Sequence, residues 1–148
     1  MDAKKILHIG CGAYPVTAIT IAKISEAKIV GIDKNPRSIK LARDIVKKRN
    51  LQTKIIIEHG NGMQYCLKDF DVIIISGCSY PKKQILERIF ETAKPRSKIV
   101  FRSSYKPTKS ILSCINSYKD SITIKKIENY PLIFKKAFGW QSFYLIKK

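Results

Sequence analysis

Gly10-Cys11-Gly12 closes an apolar run, Lys5–Ile9, and Pro15 follows shortly after. Two glycines one residue apart let a chain turn sharply at the start of a helix, where backbone N–H groups can face an anion or a cofactor. Asp33 ends a second apolar run, 21 residues after Gly12. That is where a carboxylate accepts from ribose hydroxyls, and Lys34 stands beside it. Gly60-Asn61-Gly62-Met63 ends a third run. Asn61 offers an amide to a base edge, and Met63 a polarizable side chain to a ring. Ser76 ends a fourth run. Gly10, Cys11, Gly12, Asp33, Lys34, Asn61, Gly62, Met63 and Ser76 are therefore the expected cofactor-binding residues.

Other side chains offer acceptor chemistry. Tyr80 and Tyr105 follow the fourth and fifth apolar runs and are the candidate catalytic groups. Arg102, emerging from the fifth run, is the candidate substrate-binding residue, able to pair with a carboxylate of cofactor or substrate. A structural salt bridge to Asp33, Glu58 or another local acid is its other reading. His8, inside an apolar strand, reads as a hydrogen-bonded core or site residue. Cys11 and Cys78 follow neighbouring strands, yet the four cysteines lack metal-ligand spacing, so thiols and no metal are expected.

The elements that position these residues alternate. Strands read at Lys5–Gly10, Lys28–Asp33, Lys54–His59, Asp71–Ser76 and Lys98–Ser103; helices read at Val16–Ser25, Pro36–Arg49, Pro81–Ala93 and 107–118. Two further strands, near 121–130 and 140–147, flank a Lys-rich connection. This order predicts an α/β fold with a mostly parallel seven-stranded sheet ending in an antiparallel hairpin. The helix from Val16 is apolar on nearly all sides, so cover by later parts of the chain, a homodimer mate or a separate acceptor-binding subunit is expected.

At 148 residues the chain fits a single domain. No apolar run approaches the ~20 residues of a bilayer span, and the first residues do not read as a signal peptide, so a cytoplasmic protein is expected. The net charge is +18, of which +11 falls between Lys94 and Lys148. An excess of this size attracts polyanions, so RNA is an expected partner alongside a small-molecule acceptor.

The glycine turn, Asp33 and the Asn61 loop together resemble the class I S-adenosylmethionine-dependent methyltransferases. The resemblance implies a Rossmann-like core and S-adenosylmethionine as cofactor. A nicotinamide dehydrogenase fits less well, because Pro15 stands where its third glycine would be. The stretch IGCGAYPVTAITIA is similar to the first motif of nicotianamine synthases, matching at Gly10, Gly12, Pro15 and Thr17 and departing at Ala18. Pro95, Arg102 and Ser103 match a second motif; in the last strand Ser142 matches and Gln141 stands for asparagine. That family transfers aminobutyryl groups and carries an additional helical N-terminal domain, for which this sequence shows no counterpart. The expected function is therefore methyl or aminobutyryl transfer from S-adenosylmethionine to an unidentified acceptor. The alternative is a non-catalytic accessory subunit that binds S-adenosylmethionine or RNA.

Overall fold

The computed structural model describes residues 3–104, 109–131 and 139–148. Its elements are β1 (Lys5–Ile9), α1 (Val16–Ile24), β2 (Lys28–Asp33), α2 (Pro36–Lys48), β3 (Ile55–His59), β4 (Val72–Ile75), α3 (Lys82–Thr92), β5 (Lys98–Ser104), α4 (Lys109–Ser117), β6 (Ile122–Pro131) and β7 (Gly139–Lys147). Each matches a segment read from periodicity, with ends shifted by a few residues at most. The seven strands form one sheet in the order β3-β2-β1-β4-β5-β7-β6. Neighbours are parallel from β3 through β5, and β7 is antiparallel to both β5 and β6.

Local chemistry explains the helices. Asn35 caps α2, its side chain accepting from the Arg37 N–H, and Pro36 occupies the first turn where no donor is missed. Ile39, Ala42 and Val46 of α2 face the sheet. In α3, Ile85, Leu86, Ile89 and Phe90 are buried together.

The core lies on both sides of the sheet. On one side Leu7, Ile73, Ile75, Ile99 and Phe101 meet α3 and α4, and Phe101 stacks on Phe143 with ring centroids 4.4 Å apart. On the other, Ile6, Ile29, Ile55 and Ile57 meet α1 and α2. Burying each such side chain contributes about 1.5–3 kcal/mol. The α1/α2 side is covered unevenly. The two helices pack over β2 and β3, but among the described residues no helix covers β5, β7 and β6 on that side. Arg102 is exposed there, and Val100, Tyr144 and Ile146 are half-buried.

Helix α1 departs from its expectation in part. Ala18, Ile19 and Ala22 are buried and Ile21 packs partly, but Val16 and Ile24 are 58% and 79% exposed. No later part of the described chain covers those two side chains. Among the described residues no helix is long and apolar enough to cross a membrane.

Candidate functional site

The strand ends converge on two cavities that meet at Gly10 and Cys78. The first is a cleft lined by Ile9, Gly10, Asp33, Lys34, Asn61, Gly62 and the Cys78–Tyr80 loop. The second, about 480 Å³, is lined by Gly10, Ser76, Gly77, Cys78, Arg102, Tyr130, Trp140 and Ser142. Both lie at the carboxyl ends of the parallel strands, where open α/β sheets bind ligands.

The turn after β1 requires its glycines. Gly10 has φ +73° and Gly12 φ +68°, a region that side chains rarely adopt. A Cβ on Gly10 would also stand 2.2 Å from Ser79 Oγ, which itself donates to the Ile9 carbonyl. A Cβ on Gly12 would meet nothing within 4 Å, so that side is open to a ligand.

The N–H groups of this turn do not face the cavity as the sequence suggests. Those of Gly10 and Cys11 both donate to the Ile32 carbonyl, and that of Gly12 donates to Asp33 Oδ2 at 3.0 Å. The turn supplies close approach and shape, while its donors tie it to β2. Asp33 Oδ1 accepts from the Asn35 N–H at 2.9 Å, so one carboxylate fixes both the glycine turn and the entry to α2. Each of its oxygens keeps a lone pair that can accept from a ribose hydroxyl.

Two other expected cofactor residues pack their side chains against the core. The Cys11 side chain packs among α1 and α2, and burial pushes its thiol up to about 12. Strand alternation would place Cys11 on the side of Ile9; the positive φ of Gly10 breaks that alternation and turns it to the other. Met63 packs against the α3 core, and its N–H donates to Asn61 Oδ1 at 3.0 Å, which fixes the Asn61 side chain in the loop. Lys34 Nζ reaches the Tyr80 carbonyl at 3.4 Å across the cleft. The cleft holds about 80 Å³, below the ~300–1,000 Å³ of a typical ligand site, and continues past Gly10 and Cys78 into the larger cavity. Tyr80 is 70% exposed at its mouth. Tyr105 lies outside the described residues.

The larger cavity rests on polar groups drawn from β1, the ends of β4 and β5, β6, β7 and the start of α3. His8 is buried, and its Nε2 hydrogen-bonds Ser76 Oγ at 2.8 Å. Burial, then the Arg102 charge, lowers the His8 pKa to about 4, with Asp33 opposing, so the ring is neutral at pH 7. Its Nδ1 is buried without a partner. Lys82 is buried as well and donates to the carbonyls of Ser76, Gly77 and Arg102 at 3.2, 2.8 and 2.6 Å, joining the end of β4 to β5. Burial lowers its pKa to about 8. On β6 the Glu128 carboxylate accepts from the hydroxyls of Tyr130 and Tyr144 at 2.5 and 2.7 Å and pairs with Lys126. This holds Tyr130 in the wall. Trp140 lies against Gly77: a Cβ there would be 2.4 Å from Trp140 Cζ3.

Arg102 makes no ion pair with an acid among the described residues. Asp33 is engaged by Gly12 and Asn35, and Glu58 by the Tyr65 hydroxyl at 2.5 Å. Sequence reasoning reaches Ser76 and Arg102 but not Gly77, Tyr130 or Trp140. The one signal for that wall is a lone tryptophan beside Gly139 at the start of the last strand. Cys11 and Cys78 are not a pair of equals, since the first is buried and the second exposed.

A sheet of this order, with an acid after β2 and a glycine turn after β1, defines the class I S-adenosylmethionine-dependent methyltransferases. The chain belongs to the methyltransferase domain family, whose model matches residues 1–143. It is 29% identical over 105 residues to norajmaline N-methyltransferase of Rauvolfia serpentina, covering 68% of this chain and 36% of that protein. It is 27% identical over 112 residues to demethylmenaquinone methyltransferase of Lactobacillus johnsonii, covering 72% and 46%. The chain thus spans less than half the length of these two relatives. Among solved structures it is similar to the cyclase SpnF, with TM-score 0.81 and 12% identity over 99% of this chain and 76% of that one. It is also similar to a mutant of MtNAS in complex with S-adenosylmethionine, with TM-score 0.74 and 15% identity over 99% and 55%. These structures share the fold, which by itself does not select a reaction.

S-adenosylmethionine is the cofactor of this family, and the residues fit it. Asp33 keeps acceptor capacity for a ribose, the open side of Gly12 admits close approach, and Gly10 leads from the cleft into the larger cavity.

Proposed function

We propose that this domain transfers the methyl group of S-adenosylmethionine to a small molecule seated in the 480 Å³ cavity. The observation that carries this reading is the shared wall. Gly10 and Cys78 border both cavities, so a nucleoside held at Asp33 and Asn61 directs the other end of its cofactor toward the second cavity.

The cofactor supplies an electrophilic carbon on a sulfonium whose departure leaves a neutral thioether. The protein's task is then mainly orientation, which by itself supplies a large part of such a rate. Asp33 holds the ribose end and fixes the glycine turn. Trp140, lying against Gly77, and Tyr130, held by Glu128, restrict the acceptor to one side of Gly10. The Lys82 ammonium fixes the carbonyls of Ser76, Gly77 and Arg102, so the ends of β4 and β5 keep their spacing. Tyr80, at the mouth of the cleft, covers the nucleoside rather than touching the reacting atoms.

The test incubates the protein with S-adenosylmethionine and a metabolite extract, then follows small-molecule masses. A product heavier by one methylene, with S-adenosylhomocysteine formed in step, supports the proposal. An aminobutyryl gain with 5′-methylthioadenosine released replaces it by the aminobutyryl-transferase reading. Tight cofactor binding with neither product leaves the domain an accessory cofactor-binding subunit and overturns it.

A further inference from the structure

Among the described residues, the walls of the larger cavity carry hydrogen-bond donors and a cation, and no acid. Its lining is Gly10, Ser76, Gly77, Cys78, Arg102, Tyr130, Trp140 and Ser142. Arg102 has no ion-pair partner among the described residues. The acid that shares its row across the sheet, Glu128 opposite Ser142, is already engaged by Lys126, Tyr130 and Tyr144.

His8 determines what Ser76 presents. A neutral imidazole has one N–H. If Nδ1 carried it, a buried donor would have no partner, since nothing bonds that atom. With the proton on Nε2, the N–H is used in the 2.8 Å contact to Ser76 Oγ and only a lone pair is orphaned. Ser76 then accepts from His8, and its own O–H is free to donate into the cavity. Ser142, buried beside Arg102 in register, adds a second hydroxyl. A planar guanidinium beside hydroxyl donors is the recognition geometry of a carboxylate. Trp140 and Tyr130 supply flat apolar surface next to it, and the +18 net charge draws anions toward it.

We propose that the acceptor is a small molecule bearing a carboxylate, held by the Arg102 guanidinium and the Ser76 hydroxyl, with its apolar body against Trp140 and Tyr130. This rests on the transferase reading for the word acceptor; the carboxylate preference itself is a property of the cavity. His8 is a positioning residue, acting only through Ser76.

The cofactor's methionine end also carries a carboxylate, so the test has two arms. In the first, ligand-observed NMR compares aryl and alkyl carboxylates with their amides, on the full chain with and without S-adenosylhomocysteine. The carboxylates bind about tenfold or more tightly than the amides, the Arg102→Gln variant removes the preference, and Ser76→Ala weakens it several-fold. Equal binding of acids and amides to the parent protein overturns the proposal. In the second arm, calorimetry compares S-adenosylhomocysteine with 5′-methylthioadenosine, which lacks the amino acid end. Arg102→Gln is expected to leave the ratio of the two affinities unchanged. If it weakens S-adenosylhomocysteine alone, the carboxylate held by Arg102 is the cofactor's, and the proposal fails. Failure of the parent protein to bind S-adenosylhomocysteine refutes the transferase reading instead, while the acid-against-amide comparison without cofactor still reads the cavity. Circular dichroism and melting temperature confirm that each variant is folded.

Discussion

The two cavities on either side of Gly10 are built on opposite plans. In the cleft, the fixed acceptors are answered by backbone N–H groups of their own or the adjoining loop: Asp33 by Gly12 and Asn35, and Asn61 by Met63. In the larger cavity the donors of Arg102, Ser76 and Ser142 meet no acid among the described residues. The cleft is preorganised by its own contacts, whereas the cavity leaves its recognition to what enters it. A common donor set on one side and a variable acceptor on the other is what a group-transfer domain requires.

Because Gly10 belongs to both plans, changing it has the largest effect. Gly10→Val forces a side chain into φ +73° and into Ser79, costing about 2–4 kcal/mol of stability. It abolishes both cofactor and acid binding. Denaturant unfolding and calorimetry measure the two losses, and a variant of parental stability that binds both ligands would remove the shared wall.

Acidification reaches the cavity side through His8. Burial holds its pKa near 4, against 6.5 in an exposed chain. Between those values the unfolded state binds more protons than the folded one, so stability rises with pH there. The contribution is complete above about pH 6.5 and is lost as pH falls through 4, amounting to about 3 kcal/mol. Urea midpoints across this range measure the slope, which His8→Asn flattens. An unchanged slope would place the acid sensitivity elsewhere.

Removing the central carboxylate of the cleft sharpens the contrast. Asp33→Ala loses a charged acceptor for the ribose and releases the Gly12 turn, so S-adenosylhomocysteine affinity falls about tenfold to a hundredfold. Arg102's preference for acids remains. Parental affinity in this variant would reduce Asp33 to a brace for the turn and α2.

On the other side, Gly77→Ala places a Cβ 2.4 Å from the Trp140 ring and displaces it. The expected result is a several-fold rise in KM for the acceptor at unchanged cofactor affinity. Equal loss of both would show that the cavities are not separable.

The same contrast explains what could be read from the sequence. Buried parallel strands appear as apolar runs ending in turn residues, so β1 to β5 and the loop residues Gly10, Asp33 and Asn61 stand out. The cleft is made of those loops and was therefore legible. The cavity wall is not, because it arises when β7 inserts beside β5 and brings Trp140 onto Gly77. The side to which Cys11 points is not legible for a subtler reason: a positive φ at Gly10 turns the following side chain to the opposite face. Nothing in the sequence marks Lys82 either, since the three carbonyls around its ammonium are brought together only by the fold.

Trp140 is the chain's one tryptophan, and it stands 44% exposed at the edge of the acceptor cavity. Its fluorescence therefore reports on a wall that this cavity shares with a neighbouring pocket beside Tyr80 and the start of α3. Filling that cavity drives water from the indole and shifts its emission to the blue. A nucleoside entering the cleft leaves the colour nearly unchanged. The molecule carries its own optical meter for the half of the reaction whose substrate is unidentified, and needs no label to reveal which compounds occupy it.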